Sequence, residues 1–161
     1  MIEQLNQAIV LRKEGLLKES NSIMLQLANA YPNDAKVQYQ CAWSFDVLGE
    51  ESKAVPHYEK AIKLGLAGED LEGALLGLGS TYRTLGEYEN SKRIFEKGKN
   101  LFPNNRAFDV FFAMTLYNLN QHDQAMEKLL TCLVDTTENK DIKAYEKAIR
   151  FYSDKLDQVW E

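Results

Sequence analysis

Cys41, Asp46 and His57 are the residue types from which a nucleophile set could be drawn: a thiol, a base and a carboxylate to orient it. That chemistry needs a thiolate, which forms in an exposed, electropositive setting. Cys41 lies in QYQCAWSFDVLGE (38–50), where the apolar residues recur at helical spacing. It is expected to be a small buried hydrophobe, and Cys132 likewise, so no catalytic residue is assigned and the chain is not expected to be an enzyme. The two cysteines are 91 positions apart and suggest no disulfide framework. His57 and His122 are 65 positions apart without a partner at helical spacing, so neither a metal nor a cofactor is expected. The glycines of GALLGLGSTYRTLG (73–86) fall inside a helical pattern with no strand before them, which excludes a phosphate loop or dinucleotide fingerprint. Glu50–Glu51 and Glu69–Asp70 fall at helix starts, where they offset the helix dipole.

The remaining chemistry-bearing residues are aromatic and cationic, and a repeat is what places them. The segments RKEGLLKESNSIMLQL (12–27), VLGEESKAVPHYEKAI (47–62), TLGEYENSKRIFEKGK (84–99) and NLNQHDQAMEKLLTCL (118–133) align on Gly15, Gly49, Gly86 and Asn120, spaced by 34, 37 and 34 residues. Before each turn residue stand a small residue (Ala8, Ala42, Gly79, Ala113) and, three later, an apolar one (Leu11, Phe45, Tyr82, Leu116). After it come another small residue (Ser20, Ala54, Ser91, Ala125) and a large apolar one (Met24, Tyr58, Phe95, Leu129). A turn residue tolerant of positive φ ends a helix. Small residues on facing helices let the axes approach, and the large ones fill the seam. Each copy is therefore a helix pair that buries its apolar face only by stacking.

This skeleton, with Pro32 and Pro103 at the inter-repeat turns, resembles the tetratricopeptide repeat. The resemblance implies an all-α, right-handed α-solenoid of four helix pairs, about 1–34, 35–68, 72–105 and 106–139. A capping helix about 140–159 would complete a single domain over 1–161. VQYQCAW, AVPHYEKAIKLGL and GALLGLGSTYRTLG also resemble small bacterial tetratricopeptide proteins, a group in which dimers are expected. Departures are the fourth position of each repeat, where the family has a bulky residue and only the third copy keeps one (Gln4, Gln38, Leu75, Asp109), the polar Gln7 at the seventh position of the first copy, and the insertion AGEDL, expected to lengthen a helix or loop.

Helices are expected near 2–14, 17–30, 34–48, 51–64, 69–85, 88–101, 105–119, 122–135 and 140–159, with Pro56 bending the fourth. His57 is expected to be partly exposed. The last helix carries an apolar stripe of Ile142, Tyr145, Ile149, Tyr152, Leu156 and Val159. Phe151 and Trp160 are a surplus that either meets a second copy of the chain or folds against its own surface.

The resemblance also implies a concave groove lined by Leu5, Ile9, Tyr39, Trp43, Asp46, Leu76, Arg83, Val110, Met114 and Tyr117, with Arg12 among its charges. The carboxylate clamp of chaperone co-factors in this family would need cationic and amide residues where Leu5, Ile9, Gln40, Gly73 and Gly77 stand, and it is absent. The expected function is non-catalytic binding of a peptide or helical segment of a partner protein in that groove. The alternative is a self-associating homodimer whose groove is blocked or unused. The formal net charge of −5 divides as −4 over residues 1–80 and −1 over 81–161, so neither half is a basic arm for nucleic acid or an anionic membrane. With no signal-peptide pattern at its start and no long apolar run, the chain is expected to be cytoplasmic.

Overall fold

In the computed structural model, which describes residues 1–161, helices are the only regular elements and there is no β-strand. The helices are α1 (Ile2–Lys13), α2 (Leu17–Ala30), α3 (Ala35–Asp46), α4 (Glu51–Lys63), α5 (Gly68–Thr84), α6 (Tyr88–Leu101), α7 (Ala107–Asn118), α8 (His122–Thr136), α9 (Lys140–Ala144) and α10 (Glu146–Tyr152). The first eight start and stop within a few residues of the expected bounds. Their first members end alike. Gly15, Gly49, Gly86 and Asn120 have φ of 83°, 72°, 77° and 60°, the left-handed region that a Cβ disfavours. The next amide then donates back to the recurrent apolar position, as Leu16 to Leu11, Glu50 to Phe45, Glu87 to Tyr82 and Gln121 to Leu116, at 2.8–3.0 Å. α4 runs on through Pro56.

The small residues meet as their spacing requires. Ser20 Oγ donates to the Ala8 carbonyl and Ser91 Oγ to that of Gly79, each at 2.7 Å, so the hydroxyls tie the two helices of a pair together. Met24, Tyr58 and Phe95 are sealed at 0–2% exposure. Leu129, their counterpart in the fourth copy, is 37% exposed because no fifth pair covers it.

The chain divides into two compact units, Met1–Ile94 and Phe95–Glu161. The division falls within α6. In Met1–Ile94 the first helices lie side by side, α1 against α3 and α3 against α5, with α2 and α4 packed against them. The polar Gln38 is buried at a position where the family has bulk. Its amide donates to the carbonyls of Ala28 and Pro32 at 3.2 Å, and its Oε1 lies 2.7 Å from His57 Nδ1. The side chain therefore satisfies an inter-repeat turn that an apolar residue would leave unpaired. The AGEDL insertion goes into α5, the longest helix at 17 residues.

In Phe95–Glu161, Phe95 packs among Phe108, Phe111 and Phe112, with ring centroids 6.4–6.5 Å apart. Asp109, the other polar fourth-position residue, is buried but paired with Lys99 and Arg106, both at 2.6 Å. Burial pushes its carboxyl up, yet the hydrogen bonds from these two cations outweigh that and hold it below the ordinary value. Arg106 continues to Asp135 at 2.7 Å, and Asp135 to Arg150 on α10.

The single C-terminal helix expected over 140–159 is instead two short helices followed by a non-helical tail. Asn139 starts α9 by accepting from the Asp141 and Ile142 amides at 3.1 Å. Tyr145, at φ −103° and ψ 12°, interrupts the run. Ser153 Oγ then donates to the Arg150 carbonyl at 2.8 Å and Lys155 Nζ to that of Phe151 at 3.0 Å, taking up carbonyls that the next turn would have used.

Candidate functional site

The residues drawn as a nucleophile set do not converge. Cys41 is wholly buried, and that burial pushes its thiol up to about 12, far from thiolate formation at neutral pH. His57 is half-buried, faces Gln38 and stacks on Phe45 at 5.7 Å; burial, then the charge of Lys60, lowers its pKa. Asp46 is engaged elsewhere: one oxygen accepts from the Tyr58 hydroxyl at 3.1 Å, and the other lies 3.1 Å from the Thr81 hydroxyl, which it shares with the Gly77 carbonyl at 2.8 Å. No group of three or more His, Cys, Asp or Glu side chains is gathered as metal ligands.

What the first helices of Met1–Ile94 do assemble is a layered aromatic and cationic surface. Trp43 on α3 is 40% exposed. One turn earlier, Tyr39 stacks on it at 6.0 Å between centroids. The Arg12 guanidinium, from α1, lies 3.9 Å from the centre of the Trp43 ring. Arg12 Nη2 donates to Gln40 Oε1 at 2.7 Å, so α1 fixes the guanidinium against α3. Ile2 on α1 and Val47 just after α3 are exposed, and Ile9 is half-buried on α1.

Two of the residues expected to line the groove lie deeper than the rest. Leu5 and Tyr39 are buried, at 6% and 7% exposure, and belong to the core. Tyr39 packs under Trp43 and against Tyr58, and its hydroxyl end sits over Gly73 of α5. Tyr58 meets Gly77 in the same way: a Cβ on Gly77 would lie 2.5–3.1 Å from the phenol. Gly73 and Gly77 of GALLGLG are thus slots for tyrosine rings, a role that helical spacing alone does not show. Their period of four, opposite two tyrosines, was the available signal. Asp46, Leu76 and Arg83 are half-buried on α3 and α5. Burial raises the Asp46 carboxyl above its ordinary value, against the lowering effect of the Tyr58 and Thr81 hydrogen bonds, while Glu51 adds to the rise.

In Phe95–Glu161, Val110 is half-buried on α7, Met114 is 38% exposed and Tyr117 is 62% exposed, its ring 4.7 Å from that of His122. The tail gathers Phe151, Tyr152 and Trp160 into an aromatic cluster with centroids 5.2–6.1 Å apart. Phe151 and Trp160 remain 52% and 48% exposed.

A family profile described as Tetratrico peptide repeat matches residues 35–156, more than half of the chain. The chain belongs to the tetratricopeptide repeat family. Among solved structures, a MamA RS-1 ArsTM double mutant is 17% identical, with a TM-score of 0.72 over 94% of this chain and 84% of that one. YrrB, a TPR protein with an unusual peptide-binding site, is 16% identical, with a TM-score of 0.71 over 94% of this chain and 77% of its own. At such identities the likeness shows the fold alone. No curated protein matches.

Tetratricopeptide proteins are generally non-catalytic scaffolds that bind other proteins. The repeat places Arg12 and Trp43 on successive first helices. It also leaves the outer side of α8 open, with Met126, Leu129 and Leu133 each 37–42% exposed. No helix is long and apolar enough to cross a membrane.

Proposed function

We propose that the chain is a non-catalytic interaction protein that binds a peptide or helical segment of a partner on the first-helix surface of Met1–Ile94. Trp43 is the central contact, and Ile9, Arg12, Asp46, Leu76 and Arg83 contribute the surroundings. Val110, Met114 and Tyr117 present a similar first-helix surface in Phe95–Glu161. The observation that carries this reading is the state of Trp43. It is 40% exposed, yet its ring is held by buried Tyr39 and by Arg12. An indole fixed before binding loses little side-chain entropy on contact, and tryptophan and arginine dominate interface energetics, at about 2 kcal/mol or more for a central residue. Affinity capture with the wild-type chain and with Trp43→Glu tests it. The partner should be lost with the variant while its mass and helicity are unchanged.

A second reading is favoured by the exposed side chains at the C-terminal end. Leu129, in the position that is sealed in the other three copies, is open, and the Phe151–Tyr152–Trp160 cluster stands half in solvent. A second copy of the chain covering this face would form a homodimer. Light scattering at micromolar concentrations should then give twice 18.4 kDa, falling to 18.4 kDa when Phe151 and Trp160 become polar. A species of 18.4 kDa throughout would rule the dimer out.

A further inference from the structure

We infer that Arg12 anchors an acidic side chain of the bound segment, so that the partner presented to Trp43 is an acidic amphipathic peptide; this rests on the groove reading above. A guanidinium has five N–H donors and no acceptor. Arg12 spends two of them on one residue, Nη2 on Gln40 Oε1 at 2.7 Å and Nη1 on the Gln40 carbonyl at 3.5 Å. One of its faces is covered by Trp43. Both acceptors are neutral amide oxygens, and none of the chain's ion pairs includes Arg12. Arg106, also half-buried, shows the usual arrangement, with carboxylates of Asp109 and Asp135 at 2.6 and 2.7 Å. The carboxylate assigned to the Arg12 surface, Asp46, is taken up by Tyr58 and Thr81. Burial disfavours the charged form of Arg12, yet no carboxylate compensates it. An arriving carboxylate would form charge-assisted hydrogen bonds to donors already oriented by Gln40 and Trp43. The chain's net charge of −5 repels a polyanion at long range, so a single carboxylate flanked by apolar residues suits the site better than nucleic acid.

The test pans a random 12-residue peptide display library against the full chain, Arg12→Gln and Trp43→Glu. Wild-type protein should enrich peptides that carry Asp or Glu beside aromatic or aliphatic residues. A synthetic peptide of that set should bind roughly ten- to hundredfold more weakly when its acid is replaced by the amide. With Arg12→Gln, acid and amide peptides should bind alike. Arg12→Lys, which keeps the charge and loses the flat fork, should fall between. The amide peptide needs no altered protein, so a variant that folds poorly leaves the comparison intact. Enrichment of neutral or basic peptides that Trp43→Glu abolishes would overturn the acidic anchor and leave the groove reading standing. An acid–amide difference that survives Arg12→Gln would do the same. No enrichment, or enrichment indifferent to Trp43→Glu, would overturn both.

Discussion

Asp46 holds its charge in a setting that resists it, and the consequence is a pH dependence of known sign. Its folded-state pKa lies above the ordinary 3.8, because burial outweighs the Tyr58 and Thr81 hydrogen bonds. The folded protein therefore binds more protons than the unfolded chain just above pH 3.8, and stability falls as pH rises through that window. The penalty persists at neutral pH. Asp46→Asn removes it while keeping one acceptor oxygen. Urea denaturation from pH 3.5 to 7 should show the variant gaining on the wild type as pH rises; a variant that loses ground would contradict this account of Asp46. At this scale the sequence was partly legible. Burial of Cys41 followed from its helical position, and partial exposure of His57 from the usual burial of histidine. Burial of Tyr39 did not. Its position points to the surface, but the ring leans beneath Trp43 and its hydroxyl reaches Gly73, which no spacing rule encodes.

At the scale of elements, the helix contacts depend on glycines that are conformationally ordinary but sterically required. Gly98 lies in α6, and a Cβ there would run into the wholly buried Phe108 ring. Gly98→Ala gains about 1 kcal/mol of helix propensity. The overpacking should reverse that, for a net loss of about 1–3 kcal/mol in urea denaturation; an unchanged or more stable variant would show that α6 and α7 adjust freely. The eight paired helices were readable because Gly15, Gly49, Gly86 and Asn120 mark where each pair turns. The C-terminal helix was misread because its apolar stripe passes unbroken through Tyr145 and Ser153. What ends it is side-chain capture of carbonyls by Ser153 and Lys155, invisible in periodicity. α10 is instead fastened by Arg150, which bonds Asp135 of α8 and Glu146. Exposed ion pairs contribute little to global stability. Arg150→Ala should therefore speed amide hydrogen exchange over 140–152 while moving the thermal midpoint by less than about 4 °C. Exchange at the wild-type rate would mean that α10 is held by other contacts.

At the scale of the whole molecule, a repeat array sets the first helix of one repeat beside that of the next, about one repeat length away in sequence. That is why Arg12 and Trp43, 31 positions apart, share a surface. The family and its helix pairs were legible from four aligned copies. The pairing of Arg12 with Gln40 was not, since both belong to a repeat pattern that fixes position but not side-chain reach. The central claim, that the Trp43 surface is where a partner binds, is tested most directly by quantitative affinity capture from the source cell with wild-type and Trp43→Glu proteins of equal mass and helicity. The account predicts a protein retained by the wild type and depleted at least tenfold with the variant; the same proteins retained in equal amounts by both would contradict it.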